Sequence, residues 1–228
     1  DQERRKALYI RTIQPQAQTV EVIRRDNRQS LGQMRRVHSD GLFQLDLMDQ
    51  SLFFDYFFRI TLHSGQTYEC EDVYRFLPVL GELDLYLYGE GNHMQIYNKL
   101  GSHIMTHQGI EGVLFAVWAP NAKRVSVVGL FNDWDGRRHM MRPRGSSGIW
   151  ELFIPGMQKW DIYKYELIGA DGRLLPLKSD PFGFAFEMRP KTGSLVFDRK
   201  AYQWADEAWL AEGRKKANDL AQPISVYE

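Results

Sequence analysis

The sequence predicts an all-β protein built from two consecutive β-sandwiches, and two observations lead to that prediction. Short segments with apolar residues at alternate positions recur along the chain, and Gly, Asn, Asp and Pro residues separate them. These segments also recur in the same order in the two halves of the chain, which indicates a duplicated module. No βαβ pattern intervenes, so antiparallel sandwiches are favoured over a parallel α/β fold.

The duplication rests on matched residues that keep their order. In the second copy, Val125 and Val127 share one face of a predicted strand, and Ser126 points the other way. The matched pairs are Pro15 and Pro120, Val20 and Val125, Val22 and Val127, Met34 and Met141, Phe43 and Trp150, Tyr56 and Tyr163, and Gly65 and Gly172. Each copy is close to the ~100 residues typical of an immunoglobulin-like sandwich.

Composition excludes several classes of protein. The 228 residues are 43 % apolar and 13 % aromatic, enough to fill cores and to exclude global disorder. Lys+Arg and Asp+Glu number 29 each, which argues against nucleic acid or a membrane as the main partner. The one cysteine, Cys70, excludes an internal disulfide framework and favours a cytoplasmic location. We find no membrane-spanning run and no signal peptide, and the charged start predicts a piece of a longer chain.

The most informative segment is a predicted strand that runs into a polar loop carrying Trp134. An aromatic plane can stack on the C–H face of a glucose ring, while amide and ammonium groups hydrogen-bond its hydroxyls. Lys164 is predicted to point outward from the strand whose Tyr163 and Tyr165 point inward, toward such a site. The alternative is that Trp134 is a loop anchor packed on the sandwich edge. In the first copy Phe57 matches Lys164, so that copy is predicted to be architectural.

The other tryptophans receive structural interpretations. Trp118 and Trp150 lie within predicted strands and are predicted to belong to the core. Trp160 lies in a turn and is a candidate rim contact. Trp204 and Trp209 have near-helical spacing and are predicted to pack a helix onto a neighbour.

The sequence predicts no metal, no cofactor and no catalytic residue. His103 and His107 are spaced as helical metal ligands would be, but no carboxylate or cysteine completes a set. Cys70 has no His-Asp context, and the chain has no nucleophile elbow or phosphate-binding glycine loop.

Several segments together closely resemble bacterial 1,4-α-glucan (glycogen) branching enzymes. They are residues 115–122, 125–129, 131–137, 148–156, 163–166, 178–182, 188–190, 202–209 and 223–228. The resemblance implies a first β-sandwich module at residues 1–77, incomplete at its start, and a connector at 78–106. It implies a starch/glycogen-binding module of the carbohydrate-binding module family 48 type at 107–200. A linker helix at 201–222 and the first strand of a missing (β/α)8 barrel at 223–228 then follow.

The same resemblance implies a function. The parent enzyme would cleave an α-1,4-glucan and transfer the segment to a 6-hydroxyl, making the α-1,6 branches of glycogen. Its retaining chemistry would use an Asp nucleophile and a Glu acid–base, both in the barrel and absent here. Glycan-binding residues would be Trp134 and Lys164, with Asn132 beside them. Partners would be glycogen, amylose or maltooligosaccharides and the enzyme's own barrel.

Three alternatives stay open at this point. The chain could be a free-standing glycan-binding or regulatory module, without catalysis. It could be the N-terminal part of a related debranching or trehalose-forming enzyme, although the duplicated front half speaks against this. It could also be a purely structural interaction domain that binds no sugar.

Overall fold

A computed structural model describes residues 7–48, 54–199, 202–217, 219, 221 and 223. The chain divides into two compact units, Asp1–Phe197 and Asp198–Glu228. The first unit holds two β-sandwiches and the connector that joins them, and the second holds a helix. The predicted all-β class with two tandem sandwiches is confirmed.

The first sandwich consists of two antiparallel sheets. One sheet has the order β1-β5-β4 and the other the order β3-β2-β6-β7. The strands are β1 (Ala7–Ile13), β2 (Ala17–Arg24), β3 (Ser30–Gln33), β4 (Arg35–His38), β5 (Leu42–Met48), β6 (Tyr56–Leu62) and β7 (Thr67–Cys70). Alternate residues of the central strands, among them Val20, Val22 and Phe58, are buried between the sheets, so period-2 patterning forms this core.

The second sandwich follows the same plan with one more strand in one of its sheets. Its sheets have the orders β11-β12-β9-β8 and β10-β13-β15-β14. The strands are β8 (Gly101–His107), β9 (Ile110–Trp118), β10 (Ala122–Gly129), β11 (Arg142–Pro143), β12 (Ile149–Pro155), β13 (Ile162–Gly169), β14 (Ala185–Phe186) and β15 (Ser194–Leu195). Phe115 and Tyr163 meet in its core with ring centroids 4.8 Å apart.

Buried hydrogen bonds repeat between the two sandwiches. In the first, the Tyr56 hydroxyl donates to the Asp72 carboxylate over 2.5 Å. In the second, the Tyr163 hydroxyl donates to the Asp180 carboxylate over 2.6 Å, and Tyr165 donates to the same oxygen. Burial raises the pKa of both carboxyls, and the tyrosine hydrogen bonds oppose that rise. The same buried pair at matched positions agrees with a duplicated module.

Strand register repeats as well. Val22 lies opposite Phe58 in the first sandwich, and the matched Val127 lies opposite Tyr165 in the second. The sequence match therefore extends to which residues face each other across neighbouring strands.

The connector forms a short helix and ends earlier than the sequence suggests. Helix α1 (Glu82–Gly89) begins after Gly81, whose amide donates to the Asp84 carboxylate over 3.2 Å. A 3-10 turn (Ile96–Asn98) follows it. Strand β8 starts at Gly101 and pairs with β9 along its whole length. Residues 101–106, assigned above to the connector, thus contribute an edge strand to the second sandwich.

The connector covers the outer face of the second sandwich through a buried carboxylate. Glu151, on β12, accepts hydrogen bonds from the amides of Val79 and Leu80 at 3.1 and 3.0 Å. Arg144 pairs with the same carboxylate at 3.0 Å and donates to the Leu80 carbonyl. Because Glu151 is only 2 % exposed, its charge requires these partners, which fix the connector on the sheet.

The second unit contains helix α2 (Glu207–Lys216), inside the predicted linker helix. Trp209 lies within α2 and Trp204 lies before it, in ring contact with Tyr202 at 5.0 Å. Of the predicted barrel strand, residues 224–228 lie outside the described residues. Among the described residues, no helix is both long and apolar enough to cross a membrane.

Candidate functional site

Trp134 lies in a tightly turned loop after β10. A 3-10 turn (Leu130–Asn132) ends in Asp133 and Trp134, which have φ values of 57° and 58°. Left-handed backbone at two consecutive non-glycine residues is energetically costly, so contacts around the loop must hold it. The Trp134 amide donates to the Gly129 carbonyl over 2.9 Å, and the residue as a whole is 37 % exposed. The ring is thus partly packed and partly open to solvent.

Asn132 anchors the loop to the end of β10 through hydrogen bonds. Its side chain is fully buried and makes three hydrogen bonds. Its oxygen accepts from the Gly129 amide at 3.0 Å, and its nitrogen donates to the Val127 carbonyl and to His139 Nδ1, each at 2.9 Å. No polar atom of this side chain faces solvent, so the place that the sequence analysis gave it beside the sugar does not fit the structure. Asn132 positions the loop instead.

Lys164 leaves β13 on the outer side of the sheet, as the alternation predicts. Tyr163 and Tyr165 on either side of it are buried, whereas Lys164 is half-buried. Its ammonium donates to the Thr192 hydroxyl over 2.7 Å. An ammonium has three donors, so two stay available for hydroxyl groups of a ligand.

Strand pairing brings the Trp134 loop to the strand that carries Lys164. Val128 lies opposite Lys164, and Gly129, whose carbonyl receives the Trp134 amide, lies opposite Tyr163. The loop then turns back over the same strand: a Cβ on Gly136 would lie 2.0 Å from the Glu166 carboxylate. An exposed ring and a primary amine therefore flank one end of β10 and β13.

The loop also contacts the first sandwich, which sequence reasoning did not anticipate. Arg138 donates to the Gln14 side chain at 3.3 Å and pairs with Asp133 of the loop at 3.1 Å. Arg137 pairs with Asp40 of the first sandwich at 3.2 Å and with Asp135 beside it. The hydrogen bond from Arg137 lowers the pKa of the Asp135 carboxyl, which keeps it charged. No sequence signal pairs Arg138 with Gln14 or Arg137 with Asp40, because the partners lie 124 and 97 residues apart in the chain.

The matching position of the first sandwich is closed. Phe57 lies opposite Ile23 just as Lys164 lies opposite Val128, but it is only 5 % exposed. The guanidinium groups of Arg25 and Arg28 lie 5.5 and 5.1 Å from its ring centroid. The two guanidinium groups over the ring leave no open aromatic face there.

The remaining tryptophans divide between core and surface. Trp150 belongs to the core of the second sandwich, as predicted. The prediction for Trp118 is wrong: it is 50 % exposed and forms a T-shaped ring contact with Tyr88 at 6.3 Å, because Val117 takes the inward position. Trp160 is 55 % exposed, and the Lys159 ammonium lies 5.1 Å from its ring centroid.

The histidine pair does not form a metal site. His103 and His107 lie on strand β8, not on a helix, so their spacing separates them by ~13 Å along the strand. Their Nε2 atoms contact the carbonyl oxygens of Leu100 and Leu77 at 2.9 and 2.8 Å. Over the described residues, no group of three His, Cys, Asp or Glu side chains could hold a metal ion.

Two family models match the chain. Residues 99–183 match carbohydrate-binding module 48 (isoamylase N-terminal domain). Residues 2–74 match the alpha-1,4-glucan branching enzyme GlgB, N-terminal domain. The first match covers most of the second sandwich, up to the residues before β14, and the second match covers the first sandwich.

Two similar proteins are named 1,4-alpha-glucan branching enzyme GlgB. The chain is 50 % identical over 219 residues to the 1,4-alpha-glucan branching enzyme GlgB of Paramagnetospirillum magneticum. It is 46 % identical over 221 residues to that of Roseobacter denitrificans. These alignments cover 96 % and 97 % of this chain but only 29 % and 30 % of the two enzymes.

One similar solved structure, a pullulanase from Anoxybacillus sp. LM18-11, is 15 % identical with a TM-score of 0.37. The match covers 84 % of this chain and 26 % of the pullulanase chain. A likeness this weak carries no argument about function. The two matched domains and the relatives agree: over nearly its whole length, the chain matches the N-terminal region of 1,4-alpha-glucan branching enzymes.

Proposed function

We propose that the second sandwich binds α-glucan through Trp134 and Lys164. One observation carries this proposal. Trp134 is 37 % exposed although its backbone has an energetically costly positive φ, and it lies on a sandwich that matches a carbohydrate-binding module. Strained, exposed side chains of this kind are typical of ligand sites. One face of the ring would stack on a glucosyl unit, and the Lys164 ammonium would donate to its hydroxyls.

The whole protein would be a branching enzyme. It would cleave an α-1,4-glucan and join the released segment to a 6-hydroxyl, with its catalytic carboxylates in a barrel that this chain does not contain. The sugar site would then act by tethering. A glucan chain bound at the second sandwich would have a high local concentration at the catalytic region, and the sugar site itself would take no part in the chemical step. The first sandwich would be architectural, since its matching position is closed by Arg25 and Arg28. A cytoplasmic location fits the free Cys70.

Native gel electrophoresis with glycogen in the gel tests the proposal. We expect the 228-residue chain to migrate more slowly in the glycogen gel than in a plain gel. We expect Trp134→Ala to lose most of this retardation, while Trp160→Ala, also an exposed tryptophan, keeps it. Unchanged migration of the wild-type chain would refute glucan binding. Equal retardation of wild type and Trp134→Ala would refute the Trp134 site.

The size of the Trp134→Ala effect follows from the exposed ring area. A tryptophan has roughly 250 Å² of surface that burial can remove from water. Because Trp134 is 37 % exposed, about 90 Å² of its surface remains for contact with a ligand. Stacking on a sugar would cover half to all of that area, worth about 1–2 kcal/mol at ~25 cal/mol per Å². This corresponds to a roughly 5- to 30-fold loss of affinity.

A further inference from the structure

A cleft of about 760 Å³ lies between the two sandwiches. This volume falls within the roughly 300–1,000 Å³ of small-molecule sites. The first sandwich contributes Thr12, Tyr68 and residues around Glu71, and the second contributes the start of β9, the β12–β13 turn and Phe131 with His139. Neither sandwich forms the cleft alone.

Hydrogen bonds across the module boundary keep the cleft in one shape. The amide of Met140 donates to the Tyr74 hydroxyl over 2.9 Å, and Arg138 donates to Gln14 over 3.3 Å. Arg142 adds a bond to the Tyr74 carbonyl at 3.4 Å. Several bonds in different directions restrict hinge motion, so the cleft is preorganised for a ligand.

The lining is polar but offers no free cation among the described residues. Each arginine in the wall is paired with a carboxylate: Arg25 with Glu71, Arg28 with Glu69 at 2.7 Å and Arg138 with Asp133 at 3.1 Å. Glu111 and Asp161 add further negative charge. An anionic ligand such as a phosphate would therefore find no unpaired positive group among these lining residues, whereas a neutral ligand does not need one.

Donors, acceptors and rings remain for a neutral polyhydroxyl ligand. The Nδ1 atom of His139 accepts from Asn132, so its Nε2 carries the proton and is a donor. Glu111 is an exposed acceptor on the lip of the cleft, and Tyr68 and Phe131 add aromatic surface. Aromatic surface together with both hydrogen-bonding types is the composition that sugars require.

We propose that this cleft binds a segment of an α-glucan chain, as a second sugar site beside Trp134. The segment from Phe131 to His139 is shared: its two ends line the cleft, and its middle carries the exposed Trp134 indole. A glucan that contacts both sides would gain affinity from two weak sites on one rigid support. This inference rests on the proposed function and extends it to the module boundary.

Amide chemical shifts of the Trp134→Ala chain, titrated with maltoheptaose, test the inference. We expect shifts at Tyr68, Glu111, His139 and Asp161 to persist in this variant. We expect Glu111→Ala in the same background to weaken the remaining binding by roughly threefold or more, from loss of one hydrogen bond. The matched control Glu90→Ala changes an exposed carboxylate on the connector and should have no effect.

The outcomes separate the two proposals. Cleft shifts that persist in Trp134→Ala and weaken with Glu111→Ala support the second site. Shifts of the wild-type chain confined to the Trp134 loop would overturn the cleft site and leave glucan binding intact. An absence of shifts anywhere in the wild-type chain would overturn both.

Discussion

Asn132→Ala separates a positioning role from a sugar-binding role. The substitution removes three buried hydrogen bonds, at 3.0, 2.9 and 2.9 Å, and leaves the Gly129 amide without its acceptor. At about 1 kcal/mol for each bond, we expect the second sandwich to lose about 2–4 kcal/mol of unfolding free energy. The loop also loses its anchor, so glucan affinity should fall even under conditions where the protein stays folded.

Urea unfolding and glycogen-gel retardation measure the two effects on the same variant. The matched control is Asn121→Ala, an exposed asparagine in the turn before β10, which should leave both unchanged. A stability loss below about 0.5 kcal/mol would refute the positioning argument. If affinity fell while stability stayed at the wild-type value, Asn132 would instead contact the sugar directly.

Three further predictions concern the same surface. Lys164→Met removes the ammonium donors but keeps the aliphatic part of the side chain, so it should weaken glucan binding by roughly 2- to 10-fold. Calorimetric titration with maltoheptaose measures this change, and an unchanged affinity would exclude Lys164 from the site. Burial lowers the pKa of His139 to about 3, well below the 6.5 of an unfolded chain, so the unfolded state takes up the proton first. Folding stability should therefore fall as the pH drops from about 6.5 toward about 3, and thermal melts of His139→Gln should show a weaker dependence over that range. Gly136→Ala should destabilise the sandwich by about 1 kcal/mol, since its Cβ would push the Glu166 carboxylate away from its pair with Arg124, whereas Gly89→Ala has open space around it and should not.

The sequence predicts the two sandwiches because period-2 burial is a local pattern. It identifies Trp150 as a core residue and Lys164 as outward-facing for that reason. The error at Trp118 comes from assigning a tryptophan within a strand to the core, although the alternation from Val117 places it on the outer face. At the end of this strand, the alternation of side chains predicts exposure better than the residue type does.

The parts that were not predicted depend on side-chain contacts that no periodic pattern in the sequence marks. Asn132 looks like a surface ligand in a polar loop, and only its three buried partners reveal that it is structural. The bonds from Arg137 to Asp40 and from Arg138 to Gln14 join the two sandwiches across a long stretch of chain. No local pattern in the sequence marks such pairs, so the cleft between the two sandwiches could not be predicted either.

Oxidation of tryptophan by N-bromosuccinimide, mapped by mass spectrometry with and without maltoheptaose, tests the central claim most directly. Trp118 and Trp160 are 50 % and 55 % exposed and act as internal references for reagent access. We predict that saturating maltoheptaose slows oxidation of Trp134 severalfold and leaves Trp118 and Trp160 at their original rates. If Trp134 oxidises at the same rate in the presence of the oligosaccharide, the indole does not carry the glucan, and the account of this surface is wrong.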